Sequence, residues 1–399
     1  MSAQRPLAGL GVVECASFVA GPTGGMTLAQ LGADVIRVDP VGGGSDHLRW
    51  PLAPDGESYY WASLNKGKSS VAVDLRSDEG RELVVGLVAA IGVLVDNVVG
   101  RRWMAHPVLA ERRPDLVHVR VQGYPDGRPA VDYTVNAEVG IPQITGSEDG
   151  GAPVNHVLPA WDLVTGLSVS TAVLAGLHHR FRTGEGSFVE IALSDVALAG
   201  VANLGWLSEA VDRGRERPRH GNHVYGSFGV DFACSDGERV MVVALTPGQW
   251  SALMAVTGTA EVFTALESAL AADLTQEAER YRLRETIAAV LRPWFAARDV
   301  KQVRDELEAA RVLWGRYQGM PDVVTAHRTG AHPVLADVPM PHGELLITAR
   351  SPLRWAGEHG EAGTPSALGA DTERILADVL GLTGAEIGGL RDRKVISGV

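Results

Sequence analysis

The sequence predicts an α/β protein with a mostly parallel sheet covered by helices on both faces. Short runs of β-branched and other apolar residues alternate with stretches of helical periodicity, which is the pattern of successive strand–helix units. Of the 399 residues, 45% are hydrophobic, which is enough for a substantial core, and this length favours two domains over one. The 47 glycines and 21 prolines are spread without a period and indicate turns.

Six short apolar runs in the first half of the chain are predicted as strands, and three stretches between them as helices. The predicted strands cover residues 9–14, 34–39, 70–74, 93–97, 116–121 and 188–193, and the predicted helices cover residues 26–31, 79–90 and 162–182. Ligands of parallel sheets collect beyond the carboxyl ends of the strands. We therefore expect a binding site in the loops that follow the strands, at residues 15–25, 39–50, 97–103 and 122–133.

A second unit is predicted after the polar, glycine-bearing stretch Asp212–Gly229, which has little apolar periodicity and is expected to be a linker or mobile loop. This unit has a predicted strand at residues 238–245 and predicted helices at 249–256, 277–298 and 300–310. The later amphipathic segment Asp371–Leu380 is expected to pack back onto the first unit.

The composition argues against several classes of protein. A formal charge of −12, without a Lys/Arg-rich cluster that interleaves aromatics, disfavours nucleic acid as a partner. Cys15 and Cys234 are far apart in sequence, which argues against a disulfide scaffold or a thiolate metal site and favours a reducing, cytoplasmic environment. Apolar runs of spanning length and histidine–glutamate metal motifs do not occur in the sequence, so we expect neither a membrane nor a metal as partner.

General cofactor motifs do not fit the predicted elements. Gly9 and Gly11 lie at the start of the predicted strand at residues 9–14, whereas the glycines of a dinucleotide fingerprint follow a strand, and no P-loop pattern occurs. We therefore expect no tightly bound cofactor.

Asp162 is the most informative acidic residue, because Pro159 favours a turn and Asp162 is then expected to open the helix that follows. A carboxylate at that position can serve as an N-cap that accepts backbone N–H groups. It can also be a nucleophile, since a carboxylate held ionised at a helix start is available for attack. From the residue type alone, both roles stay open.

Several segments, in order, resemble the class III CoA transferases, also called the CaiB/BaiF family. They are Leu7–Glu14, Ala20–Pro22, Leu31–Ile36, Asn65–Ser69, Asp96–Asn97 and Arg182–Gly186. A closer likeness, to members that move CoA within one mesaconyl-CoA molecule, is carried by Gly24–Leu31, Val131–Asn136, Val154–Asp162 and Gln249–Trp250.

The resemblance implies that Asp162 is the catalytic residue. Its carboxylate would attack an acyl-CoA thioester to give a mixed anhydride and CoA thiolate, and the thiolate would then form an aspartyl-CoA thioester. Coenzyme A is thus expected as part of the substrate, and the expected reaction moves it from C1 to C4 of mesaconyl-CoA. Three alternatives stay open: CoA transfer to a separate carboxylic acid, an α-methylacyl-CoA racemase, and a CoA-binding protein without chemistry.

The resemblance also implies two sets of binding residues. The CoA-binding set is Val19, Ala20, Arg37, Lys66, Lys68 and Asn97, to which Arg101 and Arg102 are added because arginine suits bidentate phosphate contact. The substrate or lid set is Gln122, Tyr124, Tyr133, Tyr225 and Gly226.

Two departures from the family pattern narrow the expected activity. Val19 stands where formyl-CoA transferase has Gln, and Gln122 where it has Lys, which argues against a formyl/oxalate activity. The Gly-His-Asp of the racemases is replaced by Ala130, Val131 and Asp132, so a two-base mechanism lacks its histidine.

The fold implied by the resemblance is an interlocked homodimer with a Rossmann-like large domain built from both chain ends. We expect the large domain at residues 1–210 and 325–399, and a smaller α/β domain at residues 225–315. Linkers are expected at residues 211–224 and 316–324.

Overall fold

The computed structural model describes residues 5–397, and their contacts divide the chain into two units. The first unit contains residues 5–139, 156–212 and 330–397, and the second contains residues 140–155 and 213–329. The sequence prediction had grouped residues 140–155 with the larger domain, whereas their contacts lie in the second unit.

The strands of the described chain are β1 (Gly11–Cys15), β2 (Asp34–Pro40), β3 (Ser69–Val73), β4 (Val93–Asp96), β5 (Val117–Gln122), β6 (Ser187–Ala192), β7 (Phe228–Ala233), β8 (Arg239–Ala244), β9 (Leu313–Arg316), β10 (Leu335–Pro339), β11 (Leu345–Ala349), β12 (Arg354–Trp355), β13 (Glu358–His359) and β14 (Ile396–Ser397).

The helices are α1 (Ala20–Gln30), α2 (Tyr59–Asn65), α3 (Asp78–Ile91), α4 (His106–Arg112), α5 (Asp132–Glu138), α6 (Ile141–Ile144), α7 (Ala160–Thr183), α8 (Leu193–Asn203), α9 (Trp206–Arg213), α10 (Pro247–Thr257), α11 (Ala260–Leu270), α12 (Glu277–Arg282), α13 (Arg284–Ala296), α14 (Val300–Ala309), α15 (Met320–Arg328), α16 (Thr372–Leu380) and α17 (Gly384–Asp392). A single 3₁₀ turn at Arg102–Met104 precedes α4.

The first unit is built on a seven-stranded sheet in the order β14-β3-β2-β1-β4-β5-β6. All of its pairings are parallel except that of β14 with β3, which is antiparallel. The predicted parallel α/β sheet is therefore confirmed. The strand order reverses direction between β1 and β4, and in a doubly wound sheet such a switch point is where a crevice opens for ligands.

Both faces of this sheet are buried, because successive strand residues point to opposite sides. Val13 and Leu94 face the core covered by α3, α4, α16 and α17. Val12 and Val95 face the core covered by α1 and α7. The segment Asp371–Leu380 contributes α16 to the first of these cores, as the sequence predicted.

The second unit has an antiparallel sheet in the order β7-β8-β9 and a core rich in aromatic side chains. Phe232 of β7 and Phe295 of α13 stack with ring centroids 4.2 Å apart. Two sequence predictions were wrong here. The strand β7 already begins at Phe228, inside the stretch Asp212–Gly229 that was expected to be a linker or mobile loop. The single helix predicted at residues 277–298 is two helices separated at Leu283.

In the described chain, α7 is the one helix long and apolar enough to cross a membrane by length and composition. It has 24 residues, a mean hydropathy of 1.4 in its most apolar window, and a third of that window is buried. A core helix of a soluble protein meets the same criterion. In the first unit α7 packs on α1, and Val169 and Val173 contribute to the sheet core.

Candidate functional site

Two adjoining cavities open at the switch point of the central sheet. Both are lined by Ser17, which follows β1, and by Asn97, which follows β4. The Asn97 side chain joins the two loops, because it donates to the Ser17 carbonyl at 3.2 Å and accepts from the Ser17 N–H at 3.3 Å. Asp96 stiffens the turn below, since its carboxylate accepts from Arg120 at 2.8 Å and from the backbone N–H of Val98 at 3.0 Å.

The larger cavity has a volume of about 930 Å³, and all the residues that line it belong to the first unit. Each of the four loops that the sequence marked after the strands contributes to its wall. The wall includes Phe18, Val19, Ala20, Arg49, Trp50, Tyr60, Asn97, Gln122, Asp132, Tyr133 and Asp162.

Asp162 lies at the third position of α7, not at its first, because the helix begins at Ala160 after Pro159. The expectation that Asp162 opens the helix was therefore wrong, and its side chain makes no N-cap hydrogen bond. Among the described residues its carboxylate has no hydrogen-bond or ion-pair partner, while the residue lines the larger cavity. The carboxylate is thus available to a ligand.

Asp132 holds the start of α7 in place of a conventional cap. One of its carboxylate oxygens accepts the backbone N–H of Trp161 at 2.7 Å and that of Asp162 at 3.2 Å. The other oxygen lies 2.7 Å from Nε2 of His156. Asp132 is 1% exposed, so these bonds satisfy helix-terminal N–H groups that would otherwise be unpaired in a buried place.

Burial raises the pKa of Asp162 to about 6, and the negative charge of Asp132 adds to this effect. The guanidinium of Arg49 acts in the opposite direction and lowers the pKa of the same carboxyl group. Asp162 therefore remains mostly ionised at neutral pH, but it is a more basic and less solvated carboxylate than an exposed aspartate.

Close contact between α1 and α7 sets the distance between Asp162 and the start of α1. A Cβ atom on Gly24 would lie 2.5 Å from Val169, and one on Gly166 would lie 2.5 Å from Cβ of Thr23. The hydroxyl of Ser170 also donates to the Gly24 carbonyl at 3.2 Å. Glycine is required at both positions because any side chain would force the two helices apart.

The smaller cavity has a volume of about 610 Å³ and lies beyond the carboxyl ends of β1, β2, β3 and β4. Four arginines line it, namely Arg76, Arg81, Arg101 and Arg102. Arg76 and Arg81 are paired with Asp74 at 3.0 Å and with Asp78 at 2.9 Å. The structure thus places Arg101 and Arg102 of the predicted set at a cavity wall that can hold an anion.

Three other basic residues of the predicted set line neither of the two cavities. Arg37 is 1% exposed and bonds to Asp39 at 2.9 Å and to Asp46 at 3.2 Å. Lys68 is 4% exposed and bonds to Glu14 at 2.8 Å. Both side chains face buried carboxylates, whereas the resemblance had implied that they bind CoA.

Lys66 is also buried, and it donates to the Ser63 carbonyl at 2.7 Å. Burial lowers the pKa of Lys66 to about 8, and the charge of Lys68 lowers it further. Lys66 lines neither of the two cavities described.

The substrate or lid set is divided by the structure. Gln122 and Tyr133 line the larger cavity, whereas Tyr124 lies outside its wall and donates its hydroxyl to Glu138 at 2.7 Å. Tyr225 and Gly226 lie in the second unit, in the turn before β7. There the Tyr225 ring packs on Tyr281 with centroids 5.2 Å apart.

The side chains of the larger cavity that sequence reasoning missed include Arg49, Trp50 and Tyr60. The loop at residues 39–50 was marked, but nothing in it singled out Arg49 or Trp50. Tyr60 belongs to α2, a helix that the sequence pattern did not predict. Burial raises the pKa of Tyr60 to about 12, so its hydroxyl stays protonated beside Asp162.

One group of metal-type side chains occurs in the described chain, away from both cavities. Asp55, Glu57 and His342 place one ligand atom each within 4.8 Å of one another, and His342 already bonds to Glu57. Two of the three residues are exposed, and we assign no metal to the group.

The fold and the cavities define a doubly wound α/β protein that presents a partly buried, unpartnered carboxylate at the sheet's switch point. The chain belongs to the CoA-transferase family III, whose model matches residues 7–372. It is therefore an enzyme of that family, as the sequence resemblance implied.

Three individual similarities narrow this assignment. The chain is 44% identical, over 98% of both sequences, to 2-methylfumaryl-CoA isomerase of Chloroflexus aurantiacus. It is 31% identical to succinyl-CoA:mesaconate CoA-transferase of Haloarcula hispanica, over 86% of this chain and 89% of that protein. Among solved structures, a CaiB/BaiF family protein from Brucella suis matches with a TM-score of 0.78 and 26% identity, over 94% of this chain and 100% of that one.

Proposed function

We propose that this enzyme moves CoA between the two carboxyl groups of mesaconyl-CoA, from C1 to C4, with Asp162 as the nucleophile. The observation that supports this most directly is the Asp162 carboxylate, which lines a cavity without a partner among the described residues. The likeness to 2-methylfumaryl-CoA isomerase supports the choice of substrate.

The first half of the reaction transfers the acyl group to the enzyme and then exchanges it for CoA. An oxygen of Asp162 attacks the C1 thioester carbonyl, the C–S bond breaks, and CoA leaves as a thiolate. The thiolate then attacks the Asp162 carbonyl of the mixed anhydride, and mesaconate leaves as a dicarboxylate. The product of this half is an aspartyl-CoA thioester.

The second half runs the same steps with the other carboxyl group. The C4 carboxylate of the retained mesaconate attacks the aspartyl-CoA carbonyl and expels CoA thiolate, which regenerates a mixed anhydride. The thiolate attacks the C4 carbonyl, and Asp162 leaves as a carboxylate. Water must be kept from the anhydride, so the acyl group has to stay enclosed between the two halves.

The start of α1 is suited to stabilise the oxyanion of each tetrahedral intermediate. Phe18 adopts a left-handed backbone conformation with φ 67°, and its N–H donates to Asp46 at 2.8 Å. This bend leads directly into α1, and the residues Val19 and Ala20 line the cavity. The N–H groups of a first helical turn have no partner within the helix and carry partial positive charge.

We propose that the nucleotide end of CoA occupies the smaller cavity, with Arg101 and Arg102 at its phosphates. The pantetheine arm would pass Ser17 and Asn97, which line both cavities, to bring the thioester to Asp162. This placement agrees with the preference of nucleotide ligands for the switch point of such sheets.

Intermolecular transfer to a free acid is the second candidate, because the succinyl-CoA:mesaconate CoA-transferase relative is named for such a reaction. The same Asp162 chemistry serves both reactions. They differ only in whether the released acid leaves the cavity before the second half begins.

The experiment incubates the purified enzyme with mesaconyl-C1-CoA and follows the C4 isomer by chromatography and mass spectrometry. We expect isomerisation without added acid, and its loss in Asp162→Ala with an unchanged circular dichroism spectrum. Hydroxylamine treatment of the wild type during turnover should convert Asp162, and no other aspartate, to a hydroxamate. Formation of the C4 isomer only when a free acid is supplied would favour the intermolecular reaction instead.

We also propose that the enzyme works as a homodimer. The α7 helix exposes large apolar side chains on one face, at intervals of three and seven residues: Val164, Leu167, Leu174 and Phe181. Phe181 is 88% exposed, and exposed apolar patches of this kind mark interaction surfaces. Sedimentation at catalytic concentrations should give a species of twice the chain mass, and a monomer would contradict the proposal.

A further inference from the structure

Arg49 is a cation of the larger cavity that is held in place but not neutralised. Its backbone is fixed on both sides, because its N–H donates to the Asp46 carbonyl at 3.1 Å and its carbonyl accepts from the Ser58 hydroxyl. Its guanidinium lies 5.6 Å from the Phe18 ring centroid and 5.4 Å from that of Tyr60. Contacts with two ring faces orient a guanidinium without using its hydrogen-bond donors.

No carboxylate of the described residues forms an ion pair or hydrogen bond with this guanidinium. The other arginine of the same cavity, Arg128, is different, because it is paired with Asp126 at 2.7 Å. Arg49 is exposed to the cavity and keeps its donors available for a ligand.

The charges around Arg49 decide what kind of ligand it suits. Asp162 and Asp132 both line this cavity, so an anionic ligand would be repelled unless a cation compensates. Arg49 is close enough to Asp162 to lower the pKa of that carboxyl group, although burial and Asp132 raise it overall. A carboxylate bound at Arg49 would therefore lie near the nucleophile without being the group that it attacks.

We propose that Arg49 binds the free carboxylate of a dicarboxylic acyl-CoA and retains the dicarboxylate between the two transfer steps. This inference rests on the proposed Asp162 chemistry. While one carboxyl group of the substrate is bonded to CoA or to Asp162, the other forms a bidentate pair with the guanidinium. A dicarboxylic acyl chain is thus the substrate class that this cavity selects.

Retention follows from the same contact. When CoA moves onto Asp162, the acyl group becomes a free dianion, which has no covalent link to the enzyme. Arg49 then holds it while the molecule turns end for end, so that the carboxylate expelled from Asp162 pairs with the guanidinium and the other one attacks the aspartyl-CoA carbonyl. No covalent bond forms or breaks while the two carboxylates exchange places. Because Arg49 retains the dicarboxylate in the cavity, the transfer stays intramolecular.

The test uses Arg49→Gln and Arg49→Lys with mesaconyl-C1-CoA in the presence of isotopically labelled free mesaconate. Lost charge-assisted contacts of this kind reduce kcat/KM by roughly tenfold to a hundredfold, and we expect that loss in Arg49→Gln with partial rescue in Arg49→Lys. We expect no label in the wild-type product and clear label in the Arg49→Gln product, because the variant releases the dicarboxylate. Arg112→Gln, an exposed arginine paired with Glu82, is the matched control.

A second measurement separates this inference from the proposed function. Butyryl-CoA has no distal carboxylate, so hydroxylamine should trap acylated Asp162 from it equally in wild type and Arg49→Gln. If the wild type is not acylated by either thioester, the Asp162 chemistry itself fails. If Arg49→Gln loses butyryl and mesaconyl acylation equally, or if its product stays unlabelled with an unchanged KM, Arg49 does not hold the distal carboxylate. Label in the wild-type product would overturn retention.

Discussion

The buried carboxylate of Asp132 accepts the backbone N–H of Asp162 at 3.2 Å and so fixes the backbone that carries the partly buried Asp162 side chain. Burial raises the pKa of the Asp162 side chain, and the negative charge of Asp132 raises it further. A carboxylate that is costly to keep ionised is a better nucleophile toward a thioester than a well-solvated one. The position of Asp162 and the pKa of its side chain thus both depend on Asp132.

The pH dependence of kcat/KM should report this relationship. The proposed mechanism uses Asp162 as a carboxylate, and the pKa of this group is raised to about 6, so kcat/KM should fall as the pH drops through about 6. An acid limb near the ordinary pKa of an aspartate would show that burial and Asp132 do not act on Asp162 in solution. The measurement needs a thioester stable over the range used, with the enzyme returned to neutral pH as a check for reversible loss.

Asp132→Asn should move that acid limb to lower pH. The asparagine oxygen can still accept the N–H groups of Trp161 and Asp162, and its NH₂ group can face Nε2 of His156, so the geometry is kept while the charge is removed. Asp126→Asn, an exposed carboxylate in the preceding loop, should leave the limb in place. An unshifted limb in a folded Asp132→Asn enzyme would refute the electrostatic role.

Gly166→Ala should weaken both the fold and the site. Its new methyl group would meet Cβ of Thr23 at 2.5 Å, and overpacking of this kind costs about 1–3 kcal/mol. Urea unfolding should show the lower free energy, and kcat should fall because α7 carries Asp162. Gly388→Ala is the control, since a Cβ there meets nothing within 4 Å. Equal stability of the two variants would contradict the tight contact between α1 and α7.

The sequence predicted the sheet well because strands buried on both faces leave a strong apolar signal, as at Val12 and Val13. It also marked the four loops after the strands, because topology alone places them at one edge. Charged residues were harder. Arg37 and Lys68 carry the same charge as Arg101, and only the fold shows that the first two face buried carboxylates while the third lines a cavity.

The missed side chains have a common cause. The guanidinium of Arg49 contacts the rings of Phe18 and Tyr60. Phe18 is distant from Arg49 in sequence, and Tyr60 lies in a helix that the sequence did not predict. Asp132 had been noted within the family segment Val131–Asn136 and as part of a departure from the racemase pattern, but its role at α7 was missed because that contact spans 30 residues. Contacts of this range leave no local pattern in a single sequence.

Arg101→Gln combined with Arg102→Gln should weaken binding of the CoA moiety without affecting folding. Both side chains line the smaller cavity, and loss of phosphate contacts should raise KM for the acyl-CoA roughly tenfold or more while kcat changes little. The KM of the wild type should also rise with salt concentration, and that of the variant should rise less. A variant with an unchanged KM would remove these arginines from the CoA site.

Arg37→Gln should lower the stability of the fold, whereas the double variant of Arg101 and Arg102 should weaken binding of the CoA moiety. The wild-type guanidinium is 1% exposed and lies between Asp39 and Asp46, so its removal leaves two buried carboxylates without their cation. Breaking a buried ion pair from one side costs about 3–5 kcal/mol, and urea unfolding should show a loss of that order. Arg393→Gln, which breaks an exposed pair with Glu79, should leave the unfolding curve almost unchanged. If Arg37→Gln instead keeps the wild-type stability and raises KM for the acyl-CoA, then Arg37 contacts the ligand and the buried network does not have the structural role assigned to it.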